Sequence, residues 1–309
     1  MNIVLRVMLL WTSWVYQLSG YSGNNLNEIA ASCYDMAVID LARDGSSDFF
    51  TASEIAMVQA SGTDVLAYFE IGAIEDYRPE WDDVPSDLLL GTLDGWPGEY
   101  YIKYWDERWW PIVQGRVNQA IAAGFNGAYL DMIVTYEEIP AGSAGTDRAD
   151  LAQKMVDLIA RLSTYAKSVA PNFLVYPQNS PELYVLPGYL ESIDGISMEE
   201  MYIRATNRPC ELSWCYENRA NAAAILDAGK VVLSIDYATD ADLIESAITQ
   251  SLDAGFIPFV SVRALDIAPD NCPTNSVETI GLSASSNLWI LAVVILLMCL
   301  GGLRWDQIS

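Results

Sequence analysis

The sequence predicts an α/β protein, a (β/α)8 TIM barrel over residues 1–270 followed by a C-terminal transmembrane helix. The barrel is predicted because short apolar runs alternate with helical patterns along the chain. Eight such units over about 250 residues match the usual size of this fold. The membrane helix is predicted because an uncharged apolar run lies near the C-terminus.

The eight runs are rich in β-branched and aromatic residues and are apolar on both faces, which is typical of buried parallel strands. In chain order they are residues 14–18, 36–41, 65–71, 127–132, 173–178, 193–198, 231–236 and 256–262. Four of the segments between them, residues 51–62, 108–125, 147–171 and 240–256, have helical spacing, and several end at a Gly that leads into the next strand. A doubly wound open sheet is the alternative. However, GYSGNN after the first run lacks the GxGxxG spacing of dinucleotide-binding sheets.

The composition restricts the chemistry of the protein. The 309 residues carry a formal charge of −25 and include no histidine. This charge disfavours nucleic acid and anionic membrane surfaces as partners, whereas it suits a cationic substrate or serves solubility alone. Without histidine, a Ser-His-Asp triad and a His-ligated zinc are excluded. Acid/base work therefore falls mainly to carboxylates, and we expect neither a metal nor a cofactor.

The two ends of the chain raise separate questions. Residues 287–304 contain the apolar run, with Arg304 on its short side, and predict an anchor that leaves the barrel outside the membrane. Residues 271–286 form a polar linker in this interpretation; a sorting tail and a buried helix are the alternatives. Residues 1–13 resemble a signal peptide, but the first strand follows at once, so their role stays open. We expect an extracellular or cell-surface protein.

Cys210 and Cys215, in RPCELSWCYENR, are close enough in the chain to close a small loop as a disulfide. Such a bond would suit an oxidising compartment. A metal-binding pair is the alternative, although no other soft ligands cluster with them.

Carboxylates and amides fall where the predicted strands end. In a barrel, these ends line the active face. The residues at these positions are Gln17, Asp40, Glu70, Asp131, Gln178, Asn179, Glu199, Glu200 and Asp236. Some of them could instead cap the following helices. Asp131 closes the fourth strand and Glu199 the sixth, and alternate strand ends face each other across a barrel mouth.

A facing pair of carboxylates can hydrolyse a glycosidic bond. Retention requires a separation of about 5–5.5 Å, and inversion about 6.5–9.5 Å. One group must be ionised and the other protonated, a difference that burial and neighbouring charge can supply. The loop EIGAIEDYRPEW, residues 70–81, adds acids among aromatic residues, which suits a sugar site; a salt-bridged loop is the alternative.

The chain resembles glycoside hydrolase family 114, the endo-α-1,4-polygalactosaminidase-like group. The resemblance covers residues 13–265 and is carried by YDMAVIDLARDG, VLAYFEIGAIEDYRPEW, the segment from YWDERWW to LDMIVTYE, PQN and IDGISMEEMY. It implies a TIM barrel that cleaves α-1,4-linked galactosamine-type polysaccharide, a polymer that is cationic when deacetylated. By analogy with retaining α-glycosidases, it implies that Asp131 is the nucleophile and Glu199 the acid/base.

Strand-end position and the resemblance together predict a set of substrate contacts. These are Asp40, Glu70, Glu75, Asp76, Arg78, Tyr136, Gln178, Asn179, Tyr202 and Asp236. Glu70 departs from the family pattern, since relatives usually carry a small residue there. Two other functions compete with the hydrolase: a surface carbohydrate-binding protein on an inactive barrel, and a metal-dependent hydrolase that uses the acids.

Overall fold

A computed structural model describes residues 11–145 and 147–267, and eight parallel strands form its wall. The strands are β1 (Trp14–Gln17), β2 (Met36–Asp40), β3 (Asp64–Glu70), β4 (Gly127–Asp131), β5 (Leu174–Pro177), β6 (Gly195–Glu199), β7 (Val231–Tyr237) and β8 (Ile257–Ser261). Each lies within a residue or so of an apolar run, because such runs gain most free energy when both faces are buried.

Helices connect the strands. They are α1 (Asn27–Ala31), α2 (Ala52–Gln59), α3 (Trp110–Ala123), α4 (Thr135–Glu138), α5 (Arg148–Val169), α6 (Tyr189–Ser192), α7 (Ser213–Asp227) and α8 (Ala241–Asp253). Helix α2 begins with a capping box, in which Thr51 and Glu54 each accept a hydrogen bond from the backbone N–H of the other. This cap satisfies backbone donors that the first helical turn leaves unpaired.

The strands pair in parallel in chain order. Strands β1 to β5 form one sheet and β6 to β8 a second, and a bridge between Gln178 and Ser197 joins them. Between β8 and β1, the indole N–H of Trp14 donates to the carbonyl of Ile257 over 2.9 Å. The N–H of Leu18 donates to the carbonyl of Leu265 over 2.8 Å. The strands therefore surround one core, and their carboxyl ends share one face.

Aromatic side chains fill the barrel interior. Trp14, Tyr16 and Tyr129 are almost completely buried, and the ring centroids of Tyr16 and Tyr129 are 4.9 Å apart. The Tyr129 hydroxyl donates to Ser197 Oγ over 2.8 Å, which satisfies a polar group inside the core. The interior is thus packed with rings, and the space for a ligand lies above them at the mouth.

Two small antiparallel additions lie after barrel strands. Strands Ala73–Glu75, Leu89–Thr92 and Glu99–Ile102 form a sheet between β3 and α3, and Glu75 pairs with Glu99 in its register. A hairpin of Ile203–Arg204 and Arg208–Pro209 follows β6. Just beyond this hairpin, Cys210 and Cys215 form the predicted disulfide.

The predicted fold class is corrected on one point, the transmembrane helix. Within residues 11–145 and 147–267, no helix is both long enough and apolar enough to span a bilayer. The longest, α5, carries charged residues along one side and buries the other against the barrel, so it is amphipathic. The predicted span at 287–304 and linker at 271–286 lie outside the described residues. The fold class that the structure supports is the barrel alone.

Candidate active site

Sharp backbone turns follow the strand ends that carry the predicted site. Met132 after Asp131, Asn179 after β5 and Glu200 after Glu199 have φ angles of 58°, 63° and 55°. Such left-handed angles are uncommon for residues other than glycine and concentrate at functional sites. Each turn takes the chain away directly after the strand, which leaves the strand-end side chains at the barrel mouth.

One cavity of about 530 Å³ occupies this mouth and is lined by both Asp131 and Glu199. Seven carboxyl groups line it: Asp40, Asp44, Glu70, Glu75, Glu99, Asp131 and Glu199. Three guanidinium groups, of Arg43, Arg78 and Arg263, do so as well. Because acids outnumber cations by more than two to one, the cavity favours a cationic ligand over an anionic one.

Asp131 is held by two hydrogen bonds inside an acidic environment. Its carboxylate accepts from the hydroxyl of Tyr68 over 2.8 Å and from the backbone N–H of Met132 over 2.6 Å. Burial, and next the charge of Glu199, raise the pKa of Asp131 to about 7, against the opposing effect of these hydrogen bonds. Asp131 therefore titrates near neutral pH in the empty cavity.

Glu199 lies in a more polar setting. Its carboxylate accepts a 2.8 Å hydrogen bond from Asn179 Nδ2 and another from the hydroxyl of Tyr237. The backbone N–H of Glu199 donates to Asn179 Oδ1 over 3.0 Å, so Asn179 fixes this residue at two points. Glu199 is the neighbouring charge that contributes most to the raised pKa of Asp131.

A buried ion network lies beside the pair. Arg78 donates to both oxygens of Asp40 over 2.9 Å and to Glu75 over 2.7 and 3.0 Å. Burial opposes ionisation of Glu75, but these hydrogen bonds and the charge of Arg78 lower its pKa. Burial raises the pKa of Asp40 in spite of its pairing with Arg78. The positive charge of Arg78 is thus already shared between two acids.

Glu70 and Glu99 form a second acidic pair. Glu70 is 3% exposed, and its Oε2 has no hydrogen-bond partner among the described residues. Burial, followed by the charges of Glu75 and Glu99, raises the pKa of Glu70 well above its ordinary value. Burial raises the pKa of Glu99 to about 7, although a hydrogen bond with Glu70 lowers it. Arg78 is engaged with Asp40 and Glu75, and no Lys or Arg among residues 11–145 and 147–267 makes an ion pair with Glu70 or Glu99.

The structure brings eight of the predicted site residues to the cavity. They are Asp40, Glu70, Glu75, Arg78, Asp131, Gln178, Asn179 and Glu199. Four others lie outside its lining. Asp76 is exposed beside Gly98, and Tyr136 is buried beneath Glu137. The guanidinium of Arg219 covers the ring of Tyr202, and Asp236 accepts hydrogen bonds from the N–H groups of Tyr202 and Ile203.

The residues of the lining that were not predicted as site residues include Tyr68, Trp96, Glu99 and Tyr237. Tyr68 lies two positions before Glu70, and this strand spacing places both on one face, a signal that the sequence offered. Tyr237 extends β7 one residue past the predicted end. Glu99 lies in the small antiparallel sheet and Trp96 lies beside it. No apolar pattern in the sequence predicts this sheet.

No group of three or more Asp, Glu or Cys side chains within residues 11–145 and 147–267 has an arrangement that could hold a metal ion.

Comparison with known proteins identifies the family. The model of glycoside hydrolase family GH114 matches residues 8–277, nearly the whole chain. The chain belongs to glycoside hydrolase family 114. This family 114 chain is therefore a glycoside hydrolase, as the sequence motifs predicted. Family membership also argues against the alternative of a carbohydrate-binding protein on an inactive barrel.

Relatives and solved structures agree with this assignment. An uncharacterized protein of Deinococcus radiodurans is 34% identical, covering 82% of this chain and 81% of its own. One of Thermotoga maritima is 30% identical, with 82% of each covered. Ega3 of Aspergillus fumigatus, solved with galactosamine, has a TM-score of 0.63 at 20% identity, over 82% of this chain and 92% of its own. The glycoside hydrolase domain of PelA from Pseudomonas aeruginosa gives 0.66 at 16%, over 83% and 97%. At these identities the two structures support the barrel fold of the family 114 chain.

Proposed function

We propose that this glycoside hydrolase cleaves α-1,4-linked galactosamine-type polysaccharide, with Asp131 as nucleophile and Glu199 as acid/base. The observation that carries the substrate class is the acid excess of the cavity, above all Glu70 and Glu99, which have no positively charged partner among the described residues. A protonated amino sugar supplies that missing charge. Ega3, whose fold is similar, was solved in complex with galactosamine, which supports the proposal.

The proposed reaction has two steps and retains the anomeric configuration. Asp131 attacks the anomeric carbon while Glu199 protonates the glycosidic oxygen, which gives a covalent glycosyl–enzyme and a free leaving sugar. Glu199 then removes a proton from water as the water displaces Asp131. Protonation of Glu199 removes the charge that most raises the pKa of Asp131. The proposed roles require one proton on the pair, held by Glu199, and an ionised Asp131 at the moment of attack.

Neighbouring side chains position these two groups. Tyr68 and the N–H of Met132 donate to Asp131 and stabilise its ionised form. Asn179 and Tyr237 hold the Glu199 carboxyl at the opposite side of the mouth. Fixed donors of this kind keep a reacting group near its productive geometry without reorganisation during the reaction.

The amine of the substrate is proposed to lie against Glu70 and Glu99. Both carboxyls line the cavity together with Asp131, and both residues are otherwise buried. A substrate ammonium there would favour their ionised forms and gain a charge-assisted hydrogen bond to Glu70 Oε2. An acetylated amine offers no charge, so we expect deacetylated polymer to be the better substrate.

The proposed place of action is outside the cell. A polysaccharide does not cross membranes freely, and the Cys210–Cys215 disulfide suits an oxidising compartment. This proposal needs no membrane helix.

The test is hydrolysis of deacetylated α-1,4-galactosamine oligomers by wild type, Asp131→Asn and Glu199→Gln. We expect both variants to lose about 10³-fold or more in kcat, since each lacks a group that forms or assists a bond change. Asp253→Asn and Glu245→Gln are matched controls on the exposed side of α8 and should keep full activity. No product from wild type, or full activity in Asp131→Asn, would overturn the proposal.

The first anomer released tests the roles of the two acids. NMR during early turnover should show the α-anomer before mutarotation, because two displacements retain configuration. Initial β-anomer would mean single displacement by water, and Asp131 would then act as a base.

A further inference from the structure

A second cavity, of about 490 Å³, adjoins the one that holds the proposed catalytic pair. Five residues line both: Val134, Asn179, Glu199, Tyr237 and Arg263. Asp131 lines only the first cavity, whereas Glu199 lies at the junction of the two. Glu199 therefore borders the second cavity, whereas Asp131 does not.

The second cavity has an aromatic wall of its own. Trp214 lines it and is 38% exposed, in the first turn of α7. The Cys210–Cys215 disulfide closes the short loop that contains Trp214. Arg219 also fixes this segment, since it donates to the carbonyl of Cys210 over 3.2 Å and lies 4.5 Å from the ring centroid of Tyr216. The indole is thus held at the cavity wall by covalent and polar contacts.

Acids also line this second cavity. Glu137, Glu138, Glu182 and Glu200 contribute carboxyl groups, and Arg263 is the one guanidinium in the described lining. The hydroxyl of Tyr136 contacts both Glu137, over 2.8 Å, and Glu182. Burial, partly offset by this contact, raises the pKa of Glu182 to about 7. An aromatic ring and carboxylates in one cavity are a suitable combination for a cationic sugar ring, which offers both an apolar face and an ammonium group.

We infer that the second cavity binds the leaving-group side of the polymer, with Trp214 stacking on a sugar ring and Glu137 and Glu182 contacting its ammonium groups. The inference rests on the proposed function and adds to it the orientation of the polymer across the two cavities. The nucleophile must reach the anomeric carbon of one sugar only, while the acid must reach the oxygen between two sugars. Asp131 lines one cavity and Glu199 both, so the non-reducing side lies in the first cavity and the reducing side in the second.

A tryptophan on the other side provides a matched comparison. Trp96 lines the first cavity but not the second, and it is 52% exposed. The guanidinium of Arg263 lies 6.0 Å from its ring centroid. Trp96 and Trp214 are thus exposed aromatic residues on opposite sides of the proposed cleavage point, so their truncation should have opposite effects on where a chain is cut.

The experiment is cleavage of a defined deacetylated α-1,4-galactosamine oligomer, labelled at its reducing end, by wild type, Trp214→Ala, Trp214→Phe and Trp96→Ala. Trp214→Ala should raise KM about 10-fold and move cleavage towards the reducing end, because fewer sugars are held beyond the cut. Trp214→Phe should retain most of the wild-type pattern. Trp96→Ala should move cleavage towards the non-reducing end. Thermal unfolding of each variant separates these effects from loss of the fold.

The outcomes distinguish failure of this inference from failure of the proposed function. Cleavage by wild type with an unchanged product pattern in folded Trp214→Ala overturns this inference and leaves the proposed function intact. A shift in the same direction for Trp96→Ala and Trp214→Ala overturns the assigned direction. Absence of any cleavage by wild type overturns the proposed function and this inference with it.

Discussion

At the scale of single residues, the surroundings of Asp131 shift the pKa of its carboxyl group. Two donors, Tyr68 and the N–H of Met132, favour its ionised form, while burial and Glu199 oppose ionisation more strongly. Its pKa of about 7 exceeds the ordinary aspartate value of 3.8. An ionised Asp131 therefore costs the folded state free energy, and the cost grows as pH rises from about 4 to about 7.

The first prediction concerns stability. Asp131→Asn removes this titration, so it should stabilise the protein more at pH 8 than at pH 4. At about 1.4 kcal/mol per pKa unit, the stabilisation at pH 8 should exceed that at pH 4 by roughly 2 to 4 kcal/mol. This range allows for residual solvation of Asp131, which reduces the full effect. Thermal unfolding at the two pH values should show this as a Tm increase of several degrees at pH 8. Asp253→Asn, an exposed control, should show no such difference; an equal effect of Asp131→Asn at both pH values would contradict the prediction.

At the scale of elements, the turns after β3 and β4 support each other. The N–H of Ile71 donates to the carbonyl of Asp131 over 3.0 Å, and the Thr135 hydroxyl donates to the carbonyl of Gly72 over 3.1 Å. A Cβ on Gly72 would lie 2.0 Å from the carbonyl oxygen of Met132. Only glycine lets the two backbones approach so closely, and this contact sets Asp131 against the acids that follow β3.

The second prediction tests that contact. Gly72→Ala should lower the free energy of unfolding by roughly 2 to 4 kcal/mol and reduce kcat, because the turn holding Met132 must move. Gly115→Ala is the matched control: Gly115 is exposed within α3 and a Cβ there would meet open space. That control should raise stability by about 0.5 to 1 kcal/mol and leave activity unchanged. Denaturant unfolding and kinetics measure both; equal stability of the two variants would contradict the role of Gly72.

At the scale of the whole molecule, the formal charge of −25 and the acidic mouth act together. The negative charge of the protein attracts a cationic oligomer, and the range of this attraction becomes shorter as the salt concentration rises. An acetylated, neutral oligomer experiences no such attraction. Electrostatics therefore contributes to the rate of encounter with one substrate form and not with the other.

The third prediction follows from this difference. Raising NaCl from about 20 mM to about 500 mM should lower kcat/KM for a deacetylated oligomer by roughly 10-fold, since both steering and binding weaken. For an acetylated oligomer of the same length, any measurable kcat/KM should change less than about 2-fold. Parallel salt responses for the two substrates would show that charge does not select the substrate.

Fold and site were predictable from the sequence to different degrees. The eight strands follow from local patterns because buried parallel strands need continuous apolar runs. Helix α7 was not predicted, since it buries only Cys215, Ala222 and Ile225 and so shows little periodicity. The membrane helix was predicted from the apolar run at residues 287–304, which lies outside the described residues, and no helix among the described residues could span a bilayer. Glu99 and Trp214 were missed because their positions depend on loops whose course no local pattern encodes.

The sequence by itself determined the alternating strands and helices, the acids at the strand ends, and the dependence on carboxylate chemistry that the absence of histidine imposes. These are local properties, set by burial period and residue type. Only the tertiary structure decided which acids share a cavity, which of them lacks a counter-ion, and that two cavities meet at Glu199 while Asp131 faces one. Such relations join side chains far apart in the chain, and packing in space, rather than order in sequence, brings them together.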